Sequence, residues 1–158
     1  SLKKFHEKMI EVILFQPEIP QNTGNIGRLC AFLGCKLHLI HPLGFEINDK
    51  NLRRAGMDYW RDLDVIEHLN WNNFLTFQQR PKKIHLLTTH AKKNIWEANF
   101  AKGDGLMFGN EGKGAPSFIH EWVDQRIGIP KFQNNLRSLN LAVSVGIASY
   151  EAMRQISL

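Results

Sequence analysis

Long apolar runs are missing from this chain. No stretch approaches the ~18 consecutive apolar residues that would span a bilayer, and no secretory leader is visible at its start. Cysteine is scarce: Cys30 and Cys35 are the only two. Two cysteines make no disulfide framework, and their spacing lacks the further paired ligands of a zinc site. Both stand in an apolar segment, so buried free thiols in a reducing, cytoplasmic compartment are expected. His38 and His41 form an HxxH pair, but they flank an apolar run instead of sharing a helical face, and no metal is expected there. Repeats, low-complexity tracts and linkers are also lacking, which leaves one domain over 9–158 behind a polar, basic N-terminal extension at 1–8.

What is present is an ordinary globular composition, 43% hydrophobic and 22% charged over 158 residues, with a net charge of +5. That modest excess permits a polyanionic partner without requiring one.

Short apolar runs alternate with helical patterns. Strands are expected at 9–16, 36–42, 63–68, 83–90, 104–110 and 125–130. Helices are expected at 22–34, 49–56, 70–80, 115–123 and 138–155. Asn22 or Thr23 is a candidate cap for the first helix, with Gly34 its stop; Ile26, Leu29, Cys30 and Leu33 give it an apolar stripe. Six strands interleaved with helices predict an α/β fold: a mostly parallel six-stranded sheet with helices on both faces. Ligands of such sheets sit beyond the carboxyl ends of the strands. The segments 16–28, 88–94, 109–114 and 130–138 all lie there.

The stretch "LMFGNEGKGAPSFI" (106–119) places Gly109, Gly112 and Gly114 between a strand and a helix. It is not a phosphate-binding GxxxxGK[ST] loop, and "PEIPQNTGNIG" after the first strand is not a dinucleotide fingerprint. Glu111 inside the loop argues against an anionic guest. Two readings stand: a backbone cradle for a neutral or cationic ligand oriented by Glu111, or a tight turn in which glycine supplies positive φ. The last helix is rich in small residues (Ala142, Ser144, Gly146, Ala148, Ser149). They suit either close core packing or a subunit interface.

Three segments in order, "NTGNIGR" (22–28), "LMFGNEGKG" (106–114) and "IPKFQNNLRSLNLAVSVGIASYEA" (129–152), closely resemble the motifs of the SPOUT class of RNA 2′-O-methyltransferases. The resemblance runs from about residue 10 to 155. "DKNLRRAGMDYW" (49–60) resembles the small single-domain branch that methylates the wobble nucleotide of tRNA, a cytidine or modified uridine at position 34. The resemblance implies a C-terminal trefoil knot, S-adenosylmethionine as methyl donor without a metal, a homodimer, and a tRNA anticodon stem-loop as substrate, with neither DNA nor a membrane as partner. Connection rules alone would have argued against a knot.

Carried over residue by residue, the resemblance implies a cofactor pocket of Leu87, Gly109, Ile129 and Ser138, with Thr88, Glu111 and Asn140 nearby. Leu87 and Ile129 read equally well as core, and Ser138 as a helix cap. Arg28 is implied as the catalytic residue; its alternative is a salt bridge on a helix surface. A guanidinium stays protonated, so its implied role is to bind the adjacent phosphate and stabilise the forming alkoxide. Asn25, one turn earlier, is expected to position the ribose. Lys50, Arg53, Arg54 and Lys113, with Lys36, are the expected RNA-contacting cations. Tyr59 and Trp60 either stack on a base or belong to the core. Competing functions are an inactive RNA-binding relative, a 2′-O-methyltransferase acting elsewhere on tRNA or rRNA, and a nucleotide-binding regulatory domain.

Overall fold

The computed structural model describes residues 9–48, 50, 52, 54, 60, 62–134 and 137–157. Its strands are β1 (Ile10–Phe15), β2 (Lys36–Ile40), β3 (Val65–His68), β4 (Ile84–Leu87), β5 (Lys93–Asn94), β6 (Asp104–Phe108) and β7 (Gln125–Gly128). All pair in parallel, in the order β3-β2-β1-β6-β4-β7-β5. The sheet thus has seven strands where the sequence predicts six. The addition, β5, is two polar residues long and carries no apolar pattern.

Successive side chains of a strand point to opposite faces. Ile10, Val12 and Leu14 of β1 enter one core, and Ile13 and Phe15 the other. A strand buried on both sides must read as an unbroken apolar run, which "IEVILF" nearly does. Helix α1 (Pro20–Leu33) and α4 (Leu141–Ser157) cover the first face and pack on each other. The short helices α2 (Trp71–Leu75) and α3 (Ser117–Trp122) cover the second through Phe74 and Ile119.

Helix α1 starts earlier than expected. Pro20 takes the first helical position, where its missing N–H costs nothing, and Ile19 is the N-cap without any side-chain cap of its own. Asn22 and Thr23 are therefore inside the helix and buried. The helix ends at Gly34 with φ 70°, its N–H donating to the Ala31 and Cys30 carbonyls. A left-handed residue there favours glycine. Cys30 and Cys35 are buried and not joined in a disulfide, and burial pushes the Cys30 thiol up. Asn70 caps α2, accepting from the Asn73 amide, and that helix closes at residue 75 instead of the expected 80.

In α4 the buried positions are Val145, Ala148, Ser149 and Ala152, a stripe of small residues that lets the helix lie close to the sheet. Its outer side leaves Val143, Ile147 and Tyr150 exposed. No helix of the described residues is long and apolar enough to cross a membrane.

Buried histidines hold the sheet interior. His38 on β2 bonds Glu11 at 2.7 Å and His68 at 2.9 Å. His85 on β4 bonds Asp104 at 2.8 Å and Gln125 at 2.9 Å. His41 turns elsewhere, to Glu67 at 2.8 Å. The HxxH pair thus divides between separate carboxylates.

Candidate functional site: the loops beyond β1, β4, β6 and β7

Parallel strands end together. Leu87 closes β4 in register with Phe108 of β6 and Ile127 of β7. The segments leaving these strands, 87–88, 109–114 and 128–130, therefore start side by side at one edge of the sheet. Leu87, Thr88, Gly109 and Ile129 are all half-buried there. The Thr88 amide donates to the Ile127 carbonyl at 2.9 Å, and a Cβ on Gly128 would lie 3.3 Å from the Thr88 carbonyl oxygen. Backbone from two strand ends is thus in near contact beside two half-buried aliphatic side chains.

The tight-turn reading holds at Gly114, which has φ 68°, and Gly109 has a separate reason to be glycine. A Cβ on Gly109 would overlap the Ala115 nitrogen and the Gly114 carbonyl carbon. What comes so close to Gly109 is the far side of its own loop. Asn110 organises that loop. Its Oδ1 accepts from the Gly112 and Lys113 amides at 2.9 and 3.0 Å, and its amide and carbonyl pair with Gly114. An asparagine closing a turn on its own backbone is a signal that Asn110 carries in the sequence itself.

Asn110 also reaches across to β1. Its Nδ2 donates to the Gln16 carbonyl at 2.8 Å. Gln16 has φ 49°, and a non-glycine residue there costs on the order of 1 kcal/mol. The backbone is held in that state by Asn110 and by a bond from its own N–H to the Ile40 carbonyl.

The Glu111 carboxylate is bonded to the start of α1. Its Oε1 accepts from the Glu18 amide at 2.9 Å and its Oε2 from the Ile19 amide at 2.8 Å. A carboxylate on the N-cap amide is what a capping-box glutamate supplies, but here it comes from a loop far along the chain. It also sits at the positive end of α1, whose first turn has no acid. Oε2 further accepts from Asn22 Nδ2 at 3.3 Å. Asn22 Oδ1 in turn accepts from Asn140 Nδ2 at 3.0 Å, and Asn140 Oδ1 caps α4 through the Val143 amide at 3.2 Å. Glu111, Asn22 and Asn140 come one from each of the three sequence motifs, and they form one hydrogen-bonded chain.

The remaining expected residues separate. Asn140, not Ser138, caps α4; Ser138 is exposed ahead of the helix. Arg28 and Asn25 lie on the exposed side of α1, at a shallow depression of about 500 Å³ shared with Leu29, Ala31, Phe32 and Asp62. Arg28 stands eight residues into the helix, so roughly 12 Å along it from the N-terminus that Glu111 holds. Lys113 is exposed on the glycine loop. Lys50 and Arg54 are exposed and helical, whereas Arg53 and Tyr59 lie outside the described residues. Lys36 opens β2 in register with Glu11, at the amino end of the sheet, and so is removed from these loops. Trp60 is half-buried against the core, and a Cβ on Gly27 would stand 3.1 Å from its ring. It is a packing residue.

An adenosyl group calls for aliphatic contact on its faces and backbone groups at its edge. Leu87 and Ile129 on adjacent strand ends, with loop backbone close by, fit that requirement. The acidic side chain nearest the loop is already engaged with α1.

An all-parallel sheet with such loops at its carboxyl edge, and a last helix laid over β1 and β6, defines an α/β fold of the kind that takes ligands at its strand ends. The model of the SpoU rRNA methylase family matches residues 9–150, and the chain belongs to that family. It is 47% identical over 150 residues to the tRNA (cytidine(34)-2′-O)-methyltransferase of Saccharophagus degradans, covering 94% of this chain and 96% of that protein. A solved structure described as "Structural insights into the 2-OH methylation of C/U34 on tRNA" superposes with a TM-score of 0.88 at 42% identity, over 94% of this chain and 97% of that one. An AdoMet-bound rRNA methyltransferase from Sinorhizobium meliloti shares the fold, with a TM-score of 0.84 at 23% identity, over 94% of this chain and 57% of that one.

Proposed function

We propose that this chain transfers a methyl group from S-adenosylmethionine to the ribose 2′-hydroxyl of the wobble nucleotide, a cytidine or uridine at position 34, of tRNA. The observation that carries the proposal is the near full-length similarity to a protein named for that reaction, at 47% identity. The linkage of the three motifs through Glu111, Asn22 and Asn140 supports it.

In this reading Leu87, Thr88, Gly109, Ile129 and Ser138 border the S-adenosylmethionine pocket. The bound cofactor supplies a methyl group activated by its sulfonium. The chain's own task is alignment and stabilisation of charge. Arg28 binds the phosphate next to the target ribose and stabilises the oxyanion as the 2′-hydroxyl attacks. It remains cationic throughout, so the proton passes to water or to the phosphate. Asn25 positions the ribose. Lys50, Arg53, Arg54 and Lys113 hold the phosphates of an anticodon stem-loop.

Arg28 sits well along α1 from the glycine loop, next to exposed Phe32. Val143, Ile147 and Tyr150 leave α4 with an uncovered apolar side. Both features support a homodimer across α1 and α4, in which Arg28 of one subunit serves the cofactor pocket of the other. A C-terminal trefoil knot and a cytoplasmic location belong to the same reading. The insertion of β6 between β1 and β4, with α4 folded back over β1 and β6, is compatible with such threading.

The deciding experiment is mass mapping of 2′-O-methylation in tRNA from cells with and without the protein. Loss of the mark at position 34 alone is expected. An unchanged position 34 with a change elsewhere would assign the chain to another site.

A further inference from the structure

Five of the large apolar side chains left exposed among the described residues have an evident place. Phe32, Val143, Ile147 and Tyr150 belong to the α1–α4 side, and Phe118 is stacked edge-on against Phe15 and Trp71. Trp96 and Phe132 have none. Trp96 is 61% exposed and Phe132 81%, yet their ring centroids lie 6.3 Å apart at 43°. Isolated exposed aromatics are common. Two in mutual contact, from segments far apart in the chain, form a surface.

The two rings stand at the functional edge of the sheet. Phe132 lies in the segment leaving β7, three residues beyond Ile129. Trp96 follows β5, whose Lys93 and Asn94 pair with Ile127 and Gly128 of β7. The Trp96 backbone is fixed before any partner arrives. Its amide donates to Asn94 Oδ1 at 2.9 Å, and the neighbouring Ile95 amide donates to the Gly128 carbonyl at 2.9 Å. A ring held out on a pinned backbone loses little freedom on binding.

Lys92 and Lys93 precede Trp96, and Lys131 precedes Phe132. Glu97, next to Trp96 in sequence, has its carboxylate turned back to the Asn94 amide at 3.2 Å. Lysine is depleted from the cores of protein–protein interfaces, whereas exposed aromatics framed by cations are how unpaired nucleotides are held.

The geometry points to Trp96 and Phe132 as a stacking platform for an unpaired base of the substrate RNA, next to the cofactor pocket, with Lys92, Lys93 and Lys131 facing its phosphates. This inference rests on the RNA-methylating function proposed above and adds to it a base-holding surface. It sets how the loop is presented, so it acts on RNA affinity and leaves the cofactor alone.

The test uses the full chain, S-adenosylhomocysteine and a synthetic anticodon stem-loop RNA. Trp96→Ala is expected to weaken RNA binding about tenfold, the usual scale for one stacked base. Trp96→Phe keeps a ring and should retain most of the affinity. S-adenosylhomocysteine affinity should be unchanged in both. An RNA series with one loop base at a time replaced by an abasic site should contain one member that weakens the unaltered protein similarly and weakens Trp96→Ala no further. If the unaltered protein binds and methylates the stem-loop and Trp96→Ala does so equally well, the platform is refuted while the enzymatic reading stands. If Trp96→Ala instead loses S-adenosylhomocysteine, the rings form a cofactor lid and the platform is again refuted. If the unaltered protein neither binds nor methylates the stem-loop, the functional reading fails and the platform with it.

Discussion

Glu111 Oε2 accepts the Ile19 amide at 2.8 Å, although 92 residues separate the two along the chain. The N-terminus of α1 is thereby capped by the glycine loop, and the glycine loop is anchored by α1. Glu111→Ala should lower stability by about 1–2 kcal/mol, the cost of a lost cap together with a lost charge at a helix N-terminus. Urea denaturation measures it. A Glu111→Ala protein of unaltered stability that fails to bind S-adenosylhomocysteine would instead make Glu111 a direct ligand.

Gly109 tests the loop from its other side. In Gly109→Val the new side chain overlaps the backbone of Gly114 and Ala115, so the loop must open. Calorimetry should find S-adenosylhomocysteine binding abolished in a protein that still melts cooperatively. Cofactor affinity equal to that of the unaltered chain would show that the loop plays no part in the pocket.

Arg28 and Arg54 should fail in different ways. Arg28→Ala is expected to slow single-turnover methyl transfer at saturating tRNA by roughly a hundredfold, or ~3 kcal/mol of lost charge stabilisation. Arg54→Ala should weaken tRNA binding and flatten its salt dependence, because one phosphate contact fewer releases about one counterion fewer. Saturating tRNA rescues the second defect. If it also rescues the first, Arg28 holds RNA and the oxyanion is stabilised elsewhere.

His68 makes the fold sensitive to acid. Burial, followed by the charge of neighbouring His38, lowers its pKa from 6.5 to about 4. Between those values the unfolded chain binds a proton that the folded chain refuses. The stability from a neutral His68 is therefore complete above pH 6.5 and is lost as the pH falls toward 4. Denaturation midpoints at pH 7 and pH 4.5 should differ, and His68→Gln should narrow the difference. An equal fall in both proteins would place the acid sensitivity elsewhere.

The apolar side of α4 predicts assembly. Ile147→Lys puts a charge on the exposed face of that helix, where little is disturbed within one chain. Light scattering at micromolar concentration should give a dimer for the unaltered chain and a monomer for Ile147→Lys. A monomer with full activity in both cases would remove the dimer from the mechanism.

Six strands and the main helices could be read from the sequence because burial on both faces writes itself as short apolar runs, as in β1 and β6. β5 could not, since two polar residues pair there only because the neighbouring strand is in place. The cap of α1 was misplaced for a related reason. Asn22 is the local candidate, but the group that satisfies the Ile19 amide comes from a loop distant in sequence. Local pattern likewise could not separate Ser138 from Asn140, nor reveal that Gly109 yields to its own loop. The three motifs were legible as motifs; the bonds joining them were not.

β6 lies between β1 and β4 at the middle of the sheet, yet residues 104–108 are made after two thirds of the chain. During synthesis β1 therefore emerges with β2 on one side and an open hydrogen-bonding edge on the other. That edge waits for a strand some 90 residues downstream, and such distant pairing folds slowly. Ribosomes that stall before residue 104 would release a half-sheet with its most apolar strand unprotected, a species prone to edge-to-edge association. Slower translation across the middle of the message is therefore expected to lower the yield of native protein.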